Sequence, residues 1–425
     1  MIKFIFLLIS SSSFFSFCYC QSIKNNGCSI SIKYLKGDLN EPQPLILSNN
    51  KENINFLYPN KKTGKIELLQ DEIFHVACPG NRNNIQGIFK QQIKYNNQSI
   101  KIIKQAQVKC INDRTFMFNN NIIFNFTNIK CKYLPNNIAR RINDDDNNKC
   151  HHYNASYIEI GFLLDNNKFL KTHEICRDDD SFKTYYTVFN LTKNIASFNA
   201  GYPRPRNWKS SNFYGKLNMD TIYKTSNQLS TIAKQIGSYE LANKYIIINE
   251  SKYLAKGHMV AKADFVYGSA QLSTFWYLNA APQWQTFNAG NWNSLENDVR
   301  KFADRKSLDL VVYTGIHGQM TLSDINDIPI PIYLHDEKIS VPRFYWKIIY
   351  DPLTKRATGF VGLNDPFAKN ITRDMFICRD ISKRIEWLNW QQNKISKGIS
   401  YACQVQDLRK AIPSIPDIHV VDILI

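Results

Sequence analysis

His258 follows a glycine, stands thirty residues before Asn288, and is followed by Glu296 and Arg300 at thirty-eight and forty-two. A neutral imidazole accepts a proton near pH 7, because its ordinary pKa is about 6.5. A carboxamide oxygen such as that of Asn288 suits a hard cation, and unlike a carboxylate it leaves the ion's charge undiminished. Four residues separate Glu296 from Arg300, so on a helix they share one face. Together these groups could activate water, hold a hydrated divalent ion and neutralise a phosphate, which are the requirements of phosphodiester hydrolysis. Taken singly, each has a plainer reading. His258 could be a satisfied structural histidine, Asn288 a helix N-cap, and Glu296 with Arg300 a surface pair worth about 0.3–0.5 kcal/mol.

The surrounding residues decide between these readings. Tyr253-Leu254-Ala255-Lys256-Gly257-His258-Met259-Val260, then Lys262-Ala263-Asp264-Phe265, precede Asn279-Ala280-Ala281-Pro282-Gln283, Phe287-Asn288-Ala289-Gly290-Asn291-Trp292 and Leu295-Glu296. In letters and spacing this set resembles the DNA/RNA non-specific endonucleases, over roughly 196–406. The resemblance implies an α+β fold of the ββα-metal (His-Me finger) type, with a central antiparallel sheet flanked by helices. It also implies a Mg²⁺ cofactor, with Mn²⁺ as a substitute, and DNA and RNA as substrates.

In that frame His258 is the base, Asn288 the direct metal ligand and Glu296 the anchor of the metal's water shell. Arg300 contacts the transition-state phosphate, and Lys256 serves as a further clamp. Asn279 matches an active-site asparagine that orients its neighbours or joins the metal shell. Tyr202-Pro203-Arg204-Pro205-Arg206-Asn207-Trp208 resembles the family's arginine-bearing strand, which gives Arg206 a phosphate role, with Arg204 competing for it. Many members carry Asp-Arg-Gly-His where this chain has Ala255-Lys256-Gly257-His258. Lys256 keeps the charge but lacks the planar two-pronged grip of arginine. That departure leaves two rivals: a catalytically weakened protein that binds nucleic acid or glycans, and a nucleotide phosphodiesterase or pyrophosphatase.

These side chains need a scaffold. Trp292, Leu295, Val299 and Phe302 recur at helical spacing, predicting a helix over 293–306. Segments 274–281, 308–315 and 344–350 read as core strands, and 381–397 is helix-prone. Upstream, short apolar runs at 54–58, 73–77, 115–118 and 122–126 alternate with Asn, Gly and Pro breaks, as in a β-rich module. The expected organisation is a signal peptide over 1–20, a cysteine-containing module over 21–185, the nuclease-like domain over 196–406 and a tail over 407–425.

The chain has 425 residues, enough for two or three domains, and 53 Lys+Arg against 36 Asp+Glu give a formal charge of +17. Such a balance suits a polyanionic partner, although glycans and acidic membranes attract the same surface. Hydrophobic residues at 44% exclude a mainly disordered chain. Lys3, the apolar stretch 4–9 and the small residues up to Cys20 read as an export signal, with no later apolar run long enough for stable membrane insertion. Eight cysteines remain after it, implying up to four disulfides, about three of them in the first module and one joining Cys378 to Cys403. Six Asn-x-Ser/Thr sites (Asn97, Asn125, Asn154, Asn190, Asn249 and Asn370) also fit a secreted protein. The acidic runs 144–146 and 178–180 read as solvated loops, and Cys150-His151-His152 as a disulfide cysteine beside surface histidines. Protein partners do not follow from the sequence.

Overall fold

The computed structural model describes residues 27–49, 54–87, 103–118, 121–123, 125–142, 150 and 155–425. The signal segment, the 144–146 run, His151, His152 and the sequons at Asn97 and Asn154 lie outside the described residues.

An antiparallel sheet of eight strands dominates. Its order is Ile138–Ile142, Ala155–Leu163, Phe169–Asp178, Lys183–Leu191, Leu310–His317, Phe344–Asp351, Arg356–Leu363 and Ser400–Cys403. Period-two alternation sorts its side chains. In Phe344–Asp351, Tyr345 and Ile349 face one layer, and Phe344, Trp346 and Ile348 face the other. The first layer holds the helix Asn293–Lys306, which packs Leu295, Val299 and Phe302 against Phe189, Val312 and Phe360. That helix has the bounds its spacing predicts. The second layer is closed by Tyr157, Tyr186, Tyr401 and by Leu408 of the helix Val405–Ala411.

The sheet runs across the expected division at 185. Strands Ile138–Ile142, Ala155–Leu163 and Phe169–Asp178 pair in succession onto Lys183–Leu191, which pairs with Leu310–His317. Tyr157, Ile158, Ile160 and Phe162 are all buried, so this strand has two faces to cover and cannot lie on the outside of a small module. The Cys150–Cys176 disulfide therefore belongs to the large sheet.

Ahead of it, a five-stranded sheet (Leu45–Ser48, Ile73–Ala77, Gln105–Asn112, Thr115–Phe118, Asn121–Ile123) carries the disulfides Cys28–Cys110 and Cys78–Cys131. They close separations of 82 and 53 residues, each worth about 4 kcal/mol of unfolded-state entropy. This module is not separate from the large domain. Phe56 stacks on Tyr267 at 4.8 Å, and both sheets contribute to one continuous core.

Two further expectations differ. Segment 381–397 forms only short turns at Ser382–Arg384 and Ile395–Lys397, around the Cys378–Cys403 bond that was expected. Its backbone is held by tertiary partners instead of its own helix: Asp298 accepts from the Asn389 amide at 2.7 Å, and Asn291 bonds Gln391 in both directions. Segment 274–281 turns rather than extends, because Asn279 donates back to the Thr274 carbonyl at 2.9 Å, and the strand begins at Ala280. At the C-terminus, Leu424 bonds Thr358 through both backbone groups, so the last residues are pinned to the sheet edge. Among the described residues no helix is long and apolar enough to cross a membrane.

Candidate active site

Strand Leu254–His258 pairs antiparallel with Ala280–Trp284, placing His258 opposite Ala280. The helix Asn293–Lys306 follows, completing a ββα unit laid on the large sheet. Gly257 permits that contact. A Cβ there would stand 2.5 Å from the Gln283 side chain and 2.9 Å from the Tyr345 hydroxyl.

The unit forms one wall of a cleft of 780 Å³, whose lining includes Arg204, Trp208, Lys256, His258, Lys262, Asn288, Glu296 and Arg300. Five of the seven residues selected from sequence meet here: His258, Asn288, Glu296, Arg300 and Lys256. Asn279 and Arg206 do not.

His258 sits between the rings of Trp208 (4.6 Å) and Phe275 (4.9 Å). Its Nε2 has no hydrogen-bond partner among the described residues. Burial, reinforced by the positive charge of Arg204 and by His173, pushes its pKa down to about 3. The ring is therefore neutral, as a base must be, far below the ordinary histidine range.

Asn288 is not an N-cap. It has helical backbone angles (φ −55°, ψ −45°) and opens a π-helical turn, Asn288–Trp292, ahead of the α-helix. Such turns recur at functional sites, because the extra residue re-aims a side chain. Its Nδ2 donates to Gln285 Oε1 at 2.9 Å. That bond fixes the amide and leaves Oδ1 without a protein partner among the described residues.

Glu296 and Arg300 do not pair with each other. Arg300 donates to Asp264 Oδ1 at 2.6 Å and to Asn297 Oδ1 at 2.8 Å. Glu296 is left as a half-buried carboxyl, raised to about 7 first by desolvation and then by the Asp264 charge, against the opposing pull of Lys347, Arg300 and Arg204. Asp264 was quoted in the sequence motif without a role, since thirty-six residues separate it from Arg300. Lys347 was missed entirely. It is 1% exposed and donates to Thr314 Oγ1 at 2.5 Å. Its signal was available as the one charge inside the otherwise apolar run Phe344–Tyr350.

Asn279 is fully buried and lies behind the cleft. Its Oδ1 accepts from Val260 N, and its Nδ2 donates to the Val260 and Thr274 carbonyls, all at 2.9 Å. These three bonds brace the chain just after His258, behind the cleft. Segment 202–208 is irregular, as its two prolines dictate. It turns Arg204 into the cleft and leaves Arg206 exposed outside it. Lys256 is tied to Asp220 at 2.9 Å and lies over the Trp208 and Tyr277 rings.

The profile of the DNA/RNA non-specific endonuclease family matches residues 154–408. That start agrees with the sheet rather than with the division expected at 196. The chain is 29% identical to the salivary endonuclease of Lutzomyia longipalpis over 255 residues, 59% of this chain and 60% of that protein. The match thus spans less than two-thirds of that relative. The salivary protein Tsal2A of Glossina morsitans morsitans is 22% identical over 93% of this chain and 94% of its own. Among solved structures, the EndoG/EndoGI complex matches with a TM-score of 0.36 and 16% identity, over 62% of this chain and 92% of that one.

Proposed function

Since the chain belongs to the DNA/RNA non-specific endonuclease family, we propose that it is a secreted, Mg²⁺-dependent endonuclease cutting DNA and RNA with little sequence preference. The observation that carries this reading is that His258 and Asn288, each with a polar atom that has no partner among the described residues, line one cleft walled by Arg204, Lys256 and Arg300.

The donor set fits a hydrated hard cation. Among the described residues no group of three His, Cys, Asp or Glu side chains is placed to hold a metal ion, and none would be required if the Asn288 amide oxygen held the ion and Glu296 its waters. Mg²⁺ keeps several waters by preference, and Mn²⁺ shares its oxygen preference. When bound, the cation supplies positive charge at the phosphate and the leaving oxygen. His258 takes the proton of the attacking water, and Arg300 and Arg204 neutralise charge gathering on the phosphate oxygens. Trp208 and Phe275 hold the imidazole in place. The products carry 5′-phosphates.

Secretion is supported by the four disulfides and by the salivary origin that the relatives' names record. The charge of +17 supports a polyanionic substrate. Plasmid nicking with Mg²⁺ tests the reading, with EDTA and His258→Ala as controls. Cutting should stop in both controls. Retardation of DNA without any cutting identifies a binding protein that lost turnover, the rival that the Lys256–Asp220 pair favours.

A further inference from the structure

Lysine-bearing turns of the N-terminal module pack onto segments that flank the cleft. At one such segment, Tyr34 N donates to Asn199 Oδ1 at 2.9 Å, and Asn199 Nδ2 donates to Ile32 O at 3.0 Å. The Tyr34 ring meets Tyr202 edge-on at 5.0 Å. Tyr202 is two residues from Arg204, and its carbonyl accepts from Nζ of the cleft residue Lys262. At the other, Lys61 pairs with Asp304 at 3.1 Å, on the helix that carries Glu296 and Arg300. The two turns meet, with Lys33 Cε 4.0 Å from where a Cβ of Gly64 would stand.

Both turns are built to hold their shape. Gly37 N donates to Lys33 O at 2.8 Å and Gly64 N to Asn60 O at 2.8 Å. Leu35 occupies the left-handed region at φ 56°, which lifts the tip so that it is 73% exposed. Lys33, Lys36, Lys61 and Lys62 are exposed there. Nearby acids are already engaged: Asp38 by Ser31 N (2.7 Å), Glu67 by Asn60 Nδ2 (3.0 Å) and Asp304 by Lys61. Four lysines against these three carboxylates leave the face net positive beside the cleft.

We infer that these two turns form a phosphate-backbone platform, which makes the N-terminal module a sequence-blind binder of the nucleic-acid duplex leaving the cleft. The inference rests on the nuclease reading of the cleft. From Arg300, the last cleft residue on the helix, to Asp304 at Lys61 the helix rises about 6 Å, or about two base pairs of duplex at 3.4 Å each. Shorter substrate fills the cleft without reaching the lysines.

The test is binding by the full chain carrying His258→Ala, so that substrate is not consumed. Lys33→Ala/Lys36→Ala/Lys62→Ala is compared with the control Lys355→Ala/Lys369→Ala/Lys410→Ala, which removes the same charge elsewhere. On a duplex of about 30 base pairs, the platform variant should lower the slope of log K against log salt by about 2.7, at about 0.9 per phosphate contact. The control should leave that slope unchanged, and neither variant should alter binding of a dinucleotide, which is too short to extend past the cleft. Single substitutions, each expected to lower the slope by about 0.9, keep the question open to test if the triple variant fails to fold. An equal loss in platform and control variants reduces the effect to net charge and overturns the inference. So does a loss of heparin affinity with the duplex slope intact, which assigns the face to a glycan. Nicking by the unsubstituted chain is scored separately: cutting with an unchanged slope sinks the platform alone, whereas no cutting of any nucleic acid sinks the nuclease reading.

Discussion

Arg300 pairs with Asp264, 2.6 Å away, and not back along its own helix with Glu296. Both partners of this pair are nearly buried, with side chains 10% and 5% exposed. Asp264 is itself fixed, since its other oxygen accepts from Ala261 N at 3.0 Å. The pair ties the helix to the chain just after His258 and fixes the guanidinium beside the cleft.

Removing one member of such a pair leaves a buried charge without its counter-ion. Asp264→Ala should lower unfolding stability by about 3–5 kcal/mol, read by denaturant titration, and should abolish cutting. Asp264→Asn keeps an acceptor oxygen but not the charge, and should retain the fold with reduced kcat. Wild-type stability and rate in both variants would remove the pair from the site.

Gln285 Oε1 accepts from Asn288 Nδ2 and so orients the Asn288 amide at the cleft. Outer partners of metal ligands are typically worth about 10–100-fold. Gln285→Ala should therefore weaken Mg²⁺ activation by that factor, measured as the metal concentration for half-maximal nicking. Asn288→Ala should abolish activation at any concentration tried. Asn288→Asp should bind the cation more tightly yet turn over more slowly, because the added negative charge offsets the ion's.

Sequence alone puts the acid limb of activity near the ordinary histidine pKa of about 6.5. Burial moves His258 to about 3, so its neutral form persists through pH 5. The pH-rate profile should show no loss from His258 between pH 6.5 and 5. The linked stability has the opposite window. A folded-state pKa depressed below the unfolded value means that the unfolded chain binds the extra proton, so stability is lost as pH falls from about 6.5 towards 3. His173, also pushed down to about 3 by burial, adds to the same loss. His258→Asn should flatten the fall in unfolding temperature across that window, and an unchanged curve would count against the burial argument.

Arg204 and Arg206 are chemically alike and two residues apart, but only Arg204 lines the cleft. Arg204→Ala should raise KM for nucleic acid about tenfold, equivalent to losing one charge-assisted phosphate contact of about 1.4 kcal/mol. It should also lift the pKa of His258 by removing a repelling charge. Arg206→Ala should change KM by less than about twofold. Steady-state kinetics on both variants decide the assignment.

Much of the site was legible because its signals are local. The helix 293–306 follows from four apolar side chains at helical spacing. The hairpin residues sit in a motif whose letters and separations carry family information. Where reading failed, the deciding bond was long-range. Asn279 reads in the motif as either an orienting or a metal-shell residue, and only the placement of Val260 and Thr274 around it favours the first. The stretch 381–397 favours helix by composition, but Asp298 and Asn291, about a hundred residues earlier, claim its backbone.

By itself the sequence determined the residue types able to do the chemistry, the elements that carry them and a basic, cysteine-rich chain. Tertiary structure alone decided which charges meet. Arg300 found Asp264, Lys347 came to lie beneath Glu296, and Arg204 rather than Arg206 entered the cleft. It also decided where the large sheet begins, at Ile138. The physical reason is common to all of these. Side-chain periodicity and short motifs are properties of neighbours along the chain, whereas desolvation and ion pairing depend on which distant segments exclude water from one another, and that is settled only when the sheet closes over them.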